Sequence, residues 1–145
     1  IKTAVSAKVD PNFMVIARIE SLILEAGMDD ALVRAKAYIS SGADGIMIHS
    51  RESIPDEVFN FSRLFREIFP LIPLICVPTS YNQIYEKELS ENGFNVVIYA
   101  NQLLRSAYPA MYKTAASILK HERAFEADKD LMSIKEILNL IPGTV

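Results

Sequence analysis

The chain has 145 residues, half of them hydrophobic and 23% charged, with a formal net charge of −3. That is enough chain and enough apolar side chain for one ordinary globular domain, and it excludes a disordered segment. The acidic balance and the lack of a clustered basic stripe argue against a nucleic-acid binder. No apolar run approaches the roughly 18 residues of a membrane helix. One cysteine, Cys76, inside the apolar run Leu74-Ile-Cys-Val77, gives no disulfide framework and reads as a core thiol, which fits a reducing, cytoplasmic setting.

Residues 1–9 (IKTAVSAKV) have the composition of a helix end, without an initiator methionine, and Asp10-Pro-Asn12 breaks it. Phe13-Met-Val-Ile-Ala17 follows as an unbroken apolar run. It predicts a strand over 13–18 buried on both faces, as parallel strands covered by helices are. Asp29 or Asp30 can then cap a helix whose apolar face is Met28, Leu32, Ala35 and Ile39, with Gly42 suited to the left-handed residue that ends it. A second buried strand is predicted over 45–49. Ser53 is the expected N-cap of the next helix, which carries the stripe Val58, Phe61, Leu64, Phe65 and Ile68. Strand three is predicted over 72–77, a Glu- and Lys-rich helix over 81–92 closing at Gly93, and strand four over 95–99. A long amphipathic helix runs from about Leu103 to Glu122 with Pro109 near its start. After the charged stretch 122–130, Ser133-Ile-Lys-Glu136 is a capping box for a last short helix, ended by Pro142-Gly143.

Strand and helix thus alternate four times, which implies a parallel sheet with right-handed crossovers. Four such units do not close a barrel, for which about 250 residues are typical. Either the sheet is small and open, or the chain is the second half of a (β/α)8 barrel. The carboxyl ends of the strands form the working face of such proteins. Here they carry Arg18 and Glu20, then His49 and Ser50, then Thr79, then Asn101 with Arg105 beyond. A guanidinium at such an end suits a carboxylate or phosphoryl group, and equally a structural ion pair with Glu20. A histidine there is either a ligand-binding group or a satisfied structural residue. Thr79, Asn101 and Arg105 either line a pocket or act as caps and loop anchors. His121, among Lys120, Glu122 and Arg123, reads as a solvated helix end, and the tyrosines make no base-stacking platform.

Ile16-Ala-Arg-Ile-Glu20, Gly42-Ala-Asp-Gly-Ile-Met-Ile-His-Ser50, Val77-Pro-Thr-Ser-Tyr81, Val97-Ile-Tyr-Ala-Asn101 and Ser133-Ile-Lys-Glu-Ile137 resemble, in order and over nearly the whole chain, the second half of the phosphoenolpyruvate phosphomutase family of the isocitrate lyase superfamily. The resemblance implies the four-unit C-terminal half of a (β/α)8 barrel over 1–145, with residues 131–145 a terminal helix. It implies an isomerase that moves a phosphoryl group between phosphoenolpyruvate and phosphonopyruvate on Mg2+. Arg18 and His49 would be the catalytic, phosphoryl-holding residues, Ser50, Thr79 and Asn101 further substrate contacts, and Glu20 the residue that orients Arg18. A dissociative phosphoryl transfer needs such positioning and charge stabilisation more than covalent help. Histidine is informative by type, because carbon–carbon lyases of the superfamily tend to carry a glutamate at that strand end.

The family's magnesium ligands and gating loop cannot be placed on any residue here, so the segment alone is expected to be inactive. Phosphonopyruvate hydrolase shares most of the same tags and is the alternative enzyme. A non-catalytic half-barrel binding module is the alternative of another class. The short terminal helix, with Ile134, Ile137, Leu138 and Ile141 on one side, is expected to dock on a neighbouring subunit of a homo-oligomer. Pro142-Gly-Thr could begin a linker to a further domain, such as a nucleotidyltransferase.

Overall fold

The computed structural model describes residues 1–141 and 143, so the expected stop at Pro142 and a linker over 142–144 lie outside or at the edge of the described residues. The chain divides into two compact units, Ile1–Ala100 and Asn101–Val145.

The first unit holds a four-stranded sheet: β1 (Ile16–Ile19), β2 (Gly45–Ile48), β3 (Leu74–Cys76) and β4 (Val96–Val97). All three pairings are parallel and the strands lie in sequence order. This is the arrangement expected of half a (β/α)8 barrel. The register sets Arg18 beside Met47, Ile19 beside Ile48, and Met47 beside Ile75. Helices α1 (Lys2–Ser6), α2 (Gly27–Ser40), α3 (Asp56–Ile68) and α4 (Glu86–Glu91) complete the unit.

Strand alternation sorts the side chains. Ala17, Ile19, Ile46, Ile48, Leu74 and Cys76 join the helices in one buried cluster, against Ala31 and Ala35 of α2, Val58, Phe61 and Phe65 of α3, and Leu89 of α4. Phe61 stacks on Phe65 at 5.6 Å between ring centroids. Burial pushes the Cys76 thiol up to about 12, so it is an inert core group, as its apolar surroundings suggest. The other face of the sheet carries Ile16, Arg18, Met47 and Ile75. Gly45 is the small residue of that face. A Cβ there would sit 2.8 Å from Ile16 Cδ1 and 3.1 Å from the Pro73 carbonyl oxygen, which accepts the Ile46 amide.

Several expected boundaries shift. Phe13 and Met14 precede β1 and are 63% and 48% exposed, so the run 13–17 is not a strand buried on both faces. The reason is local. Asp10 accepts the Asn12 amide in a turn, the Phe13 amide bonds the Asp10 carbonyl, and ladder pairing starts at Ile16. β4 has only two residues, with Val96, Ile98 and Tyr99 exposed at the sheet's edge. Neither α2 nor α3 has a side-chain cap: Asp30 sits inside α2, and α3 follows Pro55 rather than Ser53. The fourth helix starts at Glu86, because Tyr81 is fully buried in the core and roots the preceding loop there. Gly42, at φ +96°, does close α2.

The second unit contains α5 (Gln102–His121), with Pro109 inside it, a 3-10 turn over Asp128–Asp130, and α6 (Ile134–Leu138). The capping box at Ser133 forms as expected: its hydroxyl accepts the Glu136 amide at 3.2 Å, and Glu136 accepts the Ser133 amide at 3.0 Å. His121 is an exposed helix end bonded to the Ser117 carbonyl. Among the described residues no helix is long and apolar enough to cross a membrane.

Candidate active site

Arg18 and Glu20 are two residues apart at the end of β1, and alternation sets both on the sheet face away from the helices. The Arg18 Nε donates to Glu20 Oε1. Arg18 is exposed and Glu20 half-buried. His49 follows the last residue of β2, on the same face as Met47, whose neighbour across the ladder is Arg18. The three groups therefore share one corner of the sheet, at the carboxyl ends of adjacent strands.

His49 is half-buried, and its Nδ1 is buried without a hydrogen-bond partner. Burial lowers its pKa below the ordinary imidazole value, the positive charge of Arg18 lowers it further, and the Glu20 carboxylate acts in the opposite sense. The neutral ring is thus favoured near pH 7. Such a ring offers one N–H donor and one acceptor.

The residues after these strand ends turn the other way. Ser50 is 1% exposed, its hydroxyl donating to Glu57 Oε2 at 2.7 Å and accepting the Glu52 amide at 3.1 Å. Alternation points it into the helix layer. Ser21 is 2% exposed and donates to Asp30 Oδ2 at 2.6 Å. Arg34 donates to the same oxygen at 2.7 Å, and these two bonds hold the Asp30 carboxyl below its usual range. Ser21 and Glu57 had no mark in the sequence beyond their types, and Asp30 was marked only as a helix cap. The available signal is the recurrence of a serine directly after a polar strand end with an acid in the next helix.

Thr79 is half-buried, three residues past β3, with its amide bonded to the Val77 carbonyl at 2.8 Å. Asn101 and Arg105 belong to the second unit, where Asn101 precedes α5 and Arg105 bonds Asn101 Oδ1 at 3.4 Å. Among the described residues no three His, Cys, Asp or Glu side chains gather closely enough to hold a metal ion. A cleft of about 230 Å3 at the strand-end side is lined by Leu22, Glu25, Gly27, Arg51, Glu52 and Glu57. An ion pair between Glu25 and Arg51 joins the loops after β1 and β2 across it. A larger cleft of about 660 Å3, lined by Phe59, Arg63, Arg66 and Gly93 among others, lies towards the opposite end of the sheet.

Comparison with known proteins places this geometry. The profile of the family described as phosphoenolpyruvate phosphomutase matches residues 1–119. Phosphonopyruvate hydrolase of Variovorax sp. (strain Pal2) is 38% identical over 141 residues, covering 97% of this chain and 48% of that protein. The crystal structure of phosphoenolpyruvate phosphomutase from Streptomyces platensis subsp. rosaceus superposes with a TM-score of 0.85 at 36% identity, covering 96% of this chain and 47% of that one. A phosphonopyruvate hydrolase solved in complex with oxalate and Mg++ gives 0.84 at 38% identity, covering 96% and 48%. The chain spans about half the length of these relatives. Its parallel strands in sequence order, its strand-end tags and these matches agree: the chain belongs to the phosphoenolpyruvate phosphomutase family of the isocitrate lyase superfamily.

Proposed function

We propose that this chain supplies the phosphoryl-binding half of a phosphoenolpyruvate phosphomutase, an isomerase that interconverts phosphoenolpyruvate and phosphonopyruvate. The observation that carries the reading is the placing of Arg18 and His49 on one sheet face, at the ends of two adjacent strands, in a chain of this family. A phosphoryl group in transit spreads negative charge over its equatorial oxygens, and catalysis comes chiefly from aimed donors. Glu20 takes the Nε edge of Arg18 and fixes the plane of the guanidinium, leaving the Nη edge for the ligand. Neutral His49 adds one N–H without the repulsion that a carboxylate would bring. Thr79 and Asn101 are further contacts in this reading. Magnesium is part of it as a family property. Among the described residues no acids and histidines gather into a site for it; the reading expects its ligands upstream of this segment, and no step here passes through it.

Phosphonopyruvate hydrolase is the second reading, favoured by an identity of 38% against 36% for the mutase structure. Product analysis separates the two: phosphoenolpyruvate from the mutase, pyruvate and phosphate from the hydrolase. In the enzyme with its complete barrel, Arg18→Ala or His49→Ala lowers turnover by about 100-fold or more while the fold persists. Near wild-type turnover of phosphonopyruvate in both variants overturns the assignment of these residues. A folded complete barrel with no turnover at all favours the non-catalytic binding module.

The same reading makes the enzyme a homo-oligomer. α6 has five residues, too few to be stable alone in water, and Ile134, Ile137, Leu138 and Ile141 are all about half exposed or more. Docking on a second subunit, as a helix exchange, would cover them. Sedimentation of the complete enzyme should show at least a dimer that dissociates when residues 131–145 are deleted. A monomer unchanged by the deletion rules the exchange out.

A further inference from the structure

We propose that Ser50 with Glu57, and Ser21 with Asp30, are positioning residues that fix the aim of the two strand-end groups beside them, His49 and Glu20. This rests on the reading of the strand ends as the phosphoryl-binding site.

The device occurs twice, in the same place of consecutive strand–helix units. A buried aliphatic residue, Ile19 or Ile48, points into the core with no exposed surface. The next residue, Glu20 or His49, points to the opposite face. The next, Ser21 or Ser50, points back and is almost wholly buried. Each serine donates to a carboxylate of the following helix, at 2.6 Å to Asp30 and 2.7 Å to Glu57. These acids are not helix caps: both lie inside their helices, whose N-caps are Ala26 and Pro55. The bonds run instead from the end of a strand to the first turn of the next helix. Each functional residue is therefore held between a core anchor on one side and a hydrogen-bonded anchor on the other.

His49 needs such an anchor. Its Nδ1 makes no hydrogen bond, so no partner of that ring atom sets its orientation. The backbone at Ile48 and Ser50 sets the direction in which its side chain leaves the strand. Glu20 in turn sets the plane of Arg18 through their ion pair. Removing either serine hydroxyl releases a strand end by a fraction of an ångström, and a displacement of about 1 Å can cost on the order of 100-fold in rate.

The test is steady-state kinetics on the enzyme with its complete barrel, using phosphonopyruvate. Ser50→Ala and Glu57→Ala are expected to lower kcat about tenfold with KM changed less than about twofold, because aim matters more in the transition state than in binding. Glu57→Gln keeps an acceptor oxygen and should recover most of the loss. Ser21→Ala should behave as Ser50→Ala does. Ser62 is the control: it is equally buried, on α3, and bonds the Asn92 carbonyl far from the strand ends. Ser62→Ala should lower stability and leave kcat unchanged. If Ser50→Ala does not fold, the pair Glu57→Ala and Glu57→Gln reads the same bond from the helix side. Wild-type kcat in the Ser50 and Glu57 variants, with His49→Ala inactive, overturns the positioning role alone. A kcat loss in Ser62→Ala equal to that in Ser50→Ala also overturns it, since general loosening would then explain both. Wild-type turnover in His49→Ala removes the site and this inference together.

Discussion

Arg66 should be worth more to stability than any surface ion pair of this chain, and nothing to turnover. Its guanidinium sits on α3 beneath the starting ends of β3 and β4. Nη1 donates to the Ile72 carbonyl at 2.7 Å and, more weakly, to Pro70 at 3.2 Å and Phe69 at 3.3 Å. Nε donates to the Gly93 carbonyl at 3.0 Å, and Nη2 reaches Asn95 Oδ1, which also accepts the Leu74 amide at 2.9 Å. Every acceptor is neutral. One planar fork therefore ties the segment leading into β3 to the segment leading into β4. A hydrogen bond to a charged donor contributes about 1.5–3 kcal/mol, and carbonyls left buried without a donor cost more than those water can reach. Two of these bonds, to Ile72 and Gly93, are short and part-buried, so Arg66→Ala should cost about 2–4 kcal/mol in urea unfolding of the complete enzyme. Lysine cannot reproduce the fork, so Arg66→Lys should recover less than half. kcat should be unchanged, because the site lies at the other end of the strands. A loss below about 0.5 kcal/mol for Arg66→Ala, or full recovery by lysine, would refute the reasoning.

His49 should titrate below the ordinary imidazole value of about 6.5 in an NMR titration of the complete enzyme, and Arg18→Gln should raise the midpoint while burial keeps it below that value. Because the folded state binds this proton less readily than the unfolded state, His49 takes stability away as pH falls through about 6.5; a wild-type midpoint at or above 6.5, or no rise in the variant, would contradict this. Asp44 accepts the Val15 amide at 2.7 Å and pairs with Lys8 at 3.1 Å, and these bonds, the amide first, hold its carboxyl below the usual range. Its contribution is therefore present above about pH 4 and lost as pH falls through the depressed folded value. The difference in Tm between wild type and Asp44→Asn should be clear at pH 7 and shrink by pH 3, and a gap that stays constant with pH would rule the ion pair out as its source.

The alternation of strand and helix was legible because each apolar run has only one way to be covered. Ile46, Ile48, Leu74 and Cys76 could not face water, and the stripe Val58, Phe61 and Phe65 had to meet them. Arg18 and His49 were legible as polar residues ending such runs. The boundaries were less so, because hydrophobicity reports burial and not pairing: Phe13 and Met14 extend the run of β1 but belong to a turn set by Asp10. Helix caps misled for a related reason. Asp30 has the right type and place for a cap, yet a buried serine and an arginine compete for its carboxylate. The burial of Ser50 was not legible from its type, because adjacent residues at a strand end face opposite ways. The family tags named the fold correctly, and the pleat decides which neighbouring side chain faces the helices and which faces away from them.

The two ends of this sheet treat their polar groups differently, and the contrast supports the proposed site. At the starting end the fork of Arg66 is spent on carbonyls, Asn95 links two strands, and Asp44 closes on an amide and an ammonium. These groups are matched internally. At the carboxyl end Arg18 is exposed on a single carboxylate, and a buried nitrogen of His49 has no partner among the described residues. A buried polar atom without a partner costs about 1–3 kcal/mol. Among the described residues the Nδ1 of His49 and the hydroxyl of Tyr81 are both buried without a partner. The first lies where two strand ends meet, which supports the proposed reading of that corner as a binding site. The proposed anchors from Ser21 and Ser50 fit the same logic: they would constrain the backbone of Glu20 and His49 from behind, with the Glu20 side chain left to its pairing with Arg18.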